Sequence, residues 1–102
     1  MNVKVAIASE GDSVNSQVSA IGGRAPYYLL FEDGEQVKSI KNPFQSGGGG
    51  AGFAMASMLE DEGVGFAISQ HFGEKMIGAL EGHKVQWKIV EQITVEEALK
   101  DL

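Results

Sequence analysis

The sequence predicts a single α/β domain over residues 1–102, a five-stranded mixed sheet with helices packed on it. Two observations predict this. The first half carries three strand-like runs, two of them joined by a tight turn, and the second half alternates helix-period and strand-period segments. An antiparallel hairpin followed by β-α-β crossovers gives a mixed sheet covered by helices.

The elements follow in order. In NVKVAIAS, Val3, Val5 and Ile7 fall on one face and a polar stretch follows, which predicts the first strand. PYYLLFE, Pro26 to Glu32, is aromatic and apolar, and Pro26 is tolerated as a first strand residue. Asp33-Gly34 is a type I′ turn signal into EQVKSIK, so strands two and three form a hairpin. After four glycines, Ala51, Ala54, Met55, Met58 and Leu59 recur with helical spacing, and Gly63 stands where a left-handed C-cap belongs.

VGFAIS, Val64 to Ser69, reads as a buried strand. GEKMIGALEG reads as a short helix that buries Met76, Ile77 and Leu80 and stops at Gly82. KVQWKIV alternates, with Val85, Trp87 and Ile89 inward and Lys84, Gln86 and Lys88 outward. Thr94 and Glu97 have capping-box spacing, ahead of an apolar stripe of Val95, Ala98, Leu99 and Leu102. The resulting order, β-β-β-α-β-α-β-α, is that of a ribonuclease-H-like three-layer fold.

Composition removes several function classes. The formal net charge is −6 and the eight Lys and Arg residues are scattered, so nucleic acid is not an expected partner. Without cysteine there is no disulfide, thiol nucleophile or thiolate-held metal centre. No apolar run reaches the roughly 20 residues that span a bilayer. The opening MNVKVAIASEGD meets Glu10 and Asp12 too soon for a secretory signal, which predicts a cytoplasmic, membrane-free protein.

Ribonuclease-H chemistry needs carboxylates converging on two divalent metals. Here the first strand offers only Lys4 as a charged residue, and the helix centre is Met55, Ala56 and Ser57. Glu60, Asp61 and Glu62 sit at the helix's C-terminal end, where they read as solvated and opposed to its dipole. No acid–base or nucleophile–base pair stands out, and the expectation is that the protein is not an enzyme.

Three loops are expected at the carboxyl edge of the sheet, where open α/β sheets bind ligands. They are EGDSVNSQVSAIGGRA, NPFQSGGGG and SQHFGEK. The last two lead into helices, whose unpaired N–H groups favour an anion. Candidate contacts are the N–H groups of Gly47, Gly48, Gly49, Gly50 and Gly73, with Arg24, Ser46, Ser69 and Gln70 as further donors. His71 is the candidate side-chain ligand for a metal. Each has a plainer reading. A glycine run also serves as a linker, a single histidine as a surface residue, Met55 and Met58 as core filler, and His83 as an exposed turn residue.

The series VKVAIAS, VSAIGGRAPYYLLFE, IKNPF, GGGGAG, MLEDEGVGFAISQ and TVEEAL resembles the nitrogenase iron–molybdenum cofactor accessory family, especially its small stand-alone archaeal and bacterial members. The most specific pieces are Gly23-Arg24-Ala25-Pro26-Tyr27, Asn42-Pro43 and Gly50-Ala51-Gly52, in that order along nearly the whole chain. The resemblance implies a ribonuclease-H-like fold without catalysis. It also implies binding or carriage of an anionic iron–molybdenum or iron–sulfur type cluster, exchanged with donor or acceptor proteins by a monomer. Members often carry a His-Phe-Gly-Arg-Ala-like stretch in the first loop, where this chain has Ile21-Gly22-Gly23-Arg24-Ala25; His71-Phe72-Gly73 occurs in the third loop instead. Two readings stay open: a cluster carrier, or an interaction or regulatory domain that has lost cluster binding. A pocket for a phosphorylated metabolite is a third.

Overall fold

The computed structural model describes residues 3–43 and 51–102. Its strands are β1 (Lys4–Ser9), β2 (Tyr27–Glu32), β3 (Glu35–Lys41), β4 (Val64–Ser69) and β5 (Gln86–Ile89). Its helices are α1 (Ala51–Asp61), α2 (Glu74–Gly82) and α3 (Val95–Lys100), and a 3-10 turn spans Gly22–Arg24. The sheet order is β3-β2-β1-β4-β5. β2 runs antiparallel to both neighbours, and β1, β4 and β5 are parallel. This is the ribonuclease-H-like three-layer arrangement expected from the element order.

β1 is central and nearly all apolar because both its faces are covered. Ala6 and Ala8 pack with Tyr28, Leu30, Met55, Leu59, Met76 and Leu80 under α1 and α2. Ile7 packs with Leu29, Phe31, Ile68, Val95 and Ala98 under α3. Asp33 (φ 54°) and Gly34 (φ 82°) both take the positive φ that a type I′ hairpin demands. Gly63, at φ 81°, ends α1 as expected. The α3 capping box is complete: Glu97 N–H donates to Thr94 Oγ1 at 3.2 Å, and Thr94 N–H donates to Glu97 Oε1 at 2.9 Å.

Several side chains depart from the periodic reading. Val3, Ile89 and Leu102 are exposed, at 55%, 45% and 56%. Each has the right phase for burial but lies beyond the reach of the covering helices. Ala56, off the expected stripe, is buried, and Ile77 is only partly so. After α2 the left-handed residue is Lys84 (φ 61°), not Gly82, which is the last helical residue.

The acidic end of α1 is also less bare than its sequence suggests. Lys4 Nζ donates to the Glu62 carbonyl at 2.8 Å, Lys38 pairs with the Glu62 carboxylate at 2.8 Å, and His83 Nδ1 lies 2.8 Å from Glu60. These cationic and imidazole groups offset the unfavourable placement of carboxylates against the helix dipole. His83 is thus half-buried and bonded rather than a free turn residue. No helix among the described residues is long and apolar enough to cross a membrane.

Candidate functional site

The chain leaves the carboxyl edge of the sheet after β1, β3, β4 and β5, and the β1 and β4 loops are laced together there. Ser19 N–H donates to the Ala8 carbonyl at 2.8 Å, and Gln70 N–H to the Ser19 carbonyl at 3.1 Å. Ser69 is buried, with Oγ 3.1 Å from the carbonyls of both Ser19 and His71. Gln70 Nε2 donates to the Val18 carbonyl at 2.7 Å, and Gly22 N–H to the His71 carbonyl at 2.8 Å.

The β3 exit is tied to the same loop. Asn42, buried, donates its side-chain amide to the carbonyls of Gly23 (3.2 Å) and Ala25 (2.9 Å). The Tyr28 hydroxyl donates to the Gly22 carbonyl at 2.8 Å, and burial pushes that phenol far above its ordinary pKa. Phe72 lies over Gly22, where an added Cβ would stand 2.5 Å from the ring, and meets Trp87 edge-on at 6.2 Å. The 3-10 turn is therefore held rigidly from three sides.

This scaffold shapes a cavity of about 160 Å³. Ile21, Gly23 and Arg24 come from the first loop, Ala51 and Gly52 from the start of α1, and Gly73, Lys75 and Met76 from the start of α2. Close backbone approach builds its floor. A Cβ on Gly23 would stand 3.3 Å from Gly52 Cα, and one on Gly52 would stand 2.9 Å from Met76 Cβ. The first turn of α1 holds no acid. The N-cap of α2 is Gly73, whose neighbourhood is open and which makes no side-chain cap bond, leaving first-turn N–H groups for other partners. Arg24 and Lys75 line the cavity beside the two helix starts, and Glu74 is the one acid in the first turn of α2.

Of the residues expected at a site, Arg24 and Gly73 line this cavity. Ser69 and Gln70 spend their side chains on loop carbonyls, and His71 is exposed beside the cavity with its carbonyl bonded to Gly22. Ser46, Gly47, Gly48, Gly49 and Gly50 lie outside the described residues. Sequence reading missed Ile21, Gly23, Ala51, Gly52, Lys75 and Met76. The Gly-Arg and Gly-Ala-Gly pieces were the available signal for Gly23 and Gly52, but nothing local marks Lys75.

A family model described as "Dinitrogenase iron-molybdenum cofactor" matches residues 1–102. The chain belongs to the dinitrogenase iron–molybdenum cofactor family. Solved structures share its fold. The apo form of the orange protein from Desulfovibrio gigas is 24% identical with a TM-score of 0.89, over 95% of this chain and 83% of that one. A putative NifB protein from Thermotoga is 28% identical with a TM-score of 0.82, over 96% of this chain and 84% of the other. No curated protein matches. Gly23, Arg24, Ala51 and Gly52, from the pieces that carry the resemblance, line the cavity.

Proposed function

We propose that the protein binds and carries an anionic metal–sulfur cluster, of iron–molybdenum or iron–sulfur type, at the carboxyl-edge cavity, without catalysis. The observation that carries this is the convergence of Arg24, Lys75 and the first turns of α1 and α2 on one cavity in a chain of net charge −6. Family membership supports the choice of anion.

The donor set fits such a cargo. There is no cysteine, and the described residues contain no group of three His, Cys, Asp or Glu that would hold a bare metal ion. Backbone N–H groups, a guanidinium and an ammonium instead suit an anion that already carries its own sulfide ligands. Ile21 and Met76 give the cavity apolar walls, which suit a soft, weakly hydrated anion. His71 supplies the one imidazole at the rim, while Ser69 and Gln70 hold the loop that presents it. Ser46 and Gly47 to Gly50, which lie outside the described residues, are proposed as further N–H and hydroxyl donors. The carrier works as a cytoplasmic monomer that exchanges cargo with donor and acceptor proteins.

The test is an anaerobic amide-NMR titration with tetrathiomolybdate and with a synthetic iron–sulfur cluster. Saturable shifts at Gly52, Gly73 and Gly47 to Gly50, weakened in His71→Ala, are expected. No shift at these amides at millimolar concentrations would leave the fold with a protein-binding role. A response to phosphate compounds alone would make the cavity a metabolite site.

A further inference from the structure

We infer that Asn42 is a positioning residue for the carboxyl-edge cavity, whose side-chain amide directs Arg24 into it by holding the main chain on both sides of that arginine. This role presupposes the anion site proposed above and names what sets the direction of one of its two cations.

Exposure changes abruptly along the first-loop turn. Gly22, Gly23 and Ala25 are buried, and Arg24 between them is exposed. An arginine leaves a core because its charge resists burial, but that does not fix the direction in which it leaves. The main chain fixes it. Asn42 Nδ2 donates to the Gly23 carbonyl at 3.2 Å and to the Ala25 carbonyl at 2.9 Å. The first of these carbonyls immediately precedes Arg24, and the second follows it by one residue. Both point at the same buried nitrogen, and the Arg24 side chain is left on the side that lines the cavity with Lys75.

The sequence around the clamp suits it. Ala25 stands at φ −59° and ψ 137°, the extended region that a proline imposes on the residue before it. The 3-10 turn therefore ends at Arg24, and the Ala25 carbonyl is free of the turn's own bonding pattern. Pro26 has no N–H to compete for an acceptor, and its carbonyl accepts the Asn42 N–H at 2.9 Å, which anchors the clamp to the start of β2. The other bonds on the turn act elsewhere. The Tyr28 hydroxyl and the His71 carbonyl hold Gly22, and the Arg24 N–H donates to the Ile21 carbonyl at 3.1 Å within the turn. Two carbonyls need two hydrogens from one short side chain. An amide has them, a hydroxyl has one, and a carboxylate has none.

The experiment is a double-mutant cycle on the full chain, read by anaerobic titration with tetrathiomolybdate. Asn42→Ala and Asn42→Ser are each expected to weaken binding about fivefold in the parent, but by no more than about twofold in an Arg24→Gln background, where no guanidinium is left to direct. Equal losses in the two backgrounds would mark Asn42 as a general support of the fold and overturn the inference. Asn42→Ser keeps one of the two hydrogens, so the cycle stays readable if Asn42→Ala does not fold. A second measurement needs no ligand. Nuclear Overhauser contacts from the Arg24 side chain to Ala51 and Gly52, which line the same cavity, are expected in the parent and lost in both variants. Contacts that are missing from the parent, or that persist in the variants, would overturn the inference. A parent that binds no tetrathiomolybdate would defeat cluster carriage instead, and the Arg24 contacts would still decide the role of Asn42.

Discussion

A Cβ built on Gly52 would stand 2.9 Å from the Cβ of Met76, so the first turns of α1 and α2 touch with no side chain between them. Helix propensity favours alanine over glycine by about 1 kcal/mol. Overpacking costs about 1–3 kcal/mol, and the Met76 backbone at 3.3 Å cannot rotate away. Gly52→Ala is therefore expected to lose about 1 kcal/mol, whereas Gly78→Ala, into open space on α2, gains about as much. Urea denaturation of the pair checks this; a Gly52→Ala protein as stable as Gly78→Ala would mean the helices separate freely.

Removal of the Tyr28 hydroxyl leaves the buried Gly22 carbonyl without its donor. Tyr28→Phe is expected to cost about 1–3 kcal/mol. The folded phenol is pushed up by burial, so the unfolded chain gives up that proton first. Stability from this group is full below the ordinary phenol pKa of about 10 and falls as pH rises above it. Denaturation midpoints between neutral and alkaline pH should decline less steeply in Tyr28→Phe than in the parent.

Glu97 is held below the ordinary carboxylate range by hydrogen bonds from the Thr94 backbone and then its side chain. Its folded pKa is depressed, so its contribution is present above the ordinary value and is lost as pH falls through the carboxylate range. Thr94→Ala is expected to cost about 1 kcal/mol at neutral pH. Glu97→Gln keeps the capping geometry without the titration and should flatten the acid limb of the stability profile. An unchanged acid limb would assign the titration to other carboxylates.

Lys84→Gly removes a left-handed lysine and is expected to raise stability by about 1 kcal/mol. Thermal or urea unfolding reads this directly. A loss instead would show that the lysine side chain contributes more to the fold than its backbone strain costs.

At the cavity, Arg24→Gln and Lys75→Gln should each weaken anion binding several-fold and reduce its dependence on salt, with little change in folding stability. Titrations at low and moderate ionic strength separate the two effects. Affinity that ignores both substitutions would remove the cations from the site.

The elements were legible because their signals are local. The Asp33-Gly34 turn, the Thr94–Glu97 box and Gly63 act over a few residues and are in place, and Ala51, Met55 and Leu59 of the α1 stripe are buried, joined by Ala56 from outside it. The Gly-Arg and Gly-Ala-Gly pieces, equally local, contain Gly23, Arg24, Ala51 and Gly52 of the cavity lining. Tertiary structure alone decided what those loops hold. Ser69 and Gln70 reach carbonyls 50 and 52 residues away. Lys75 and Met76 meet Arg24 only because glycines let two helix starts and a 3-10 turn close to contact distance. Periodicity likewise sets the phase of Val3, Ile89 and Leu102, but their exposure depends on where the covering helices end. That limit is set by packing between distant segments, which no short window of sequence contains.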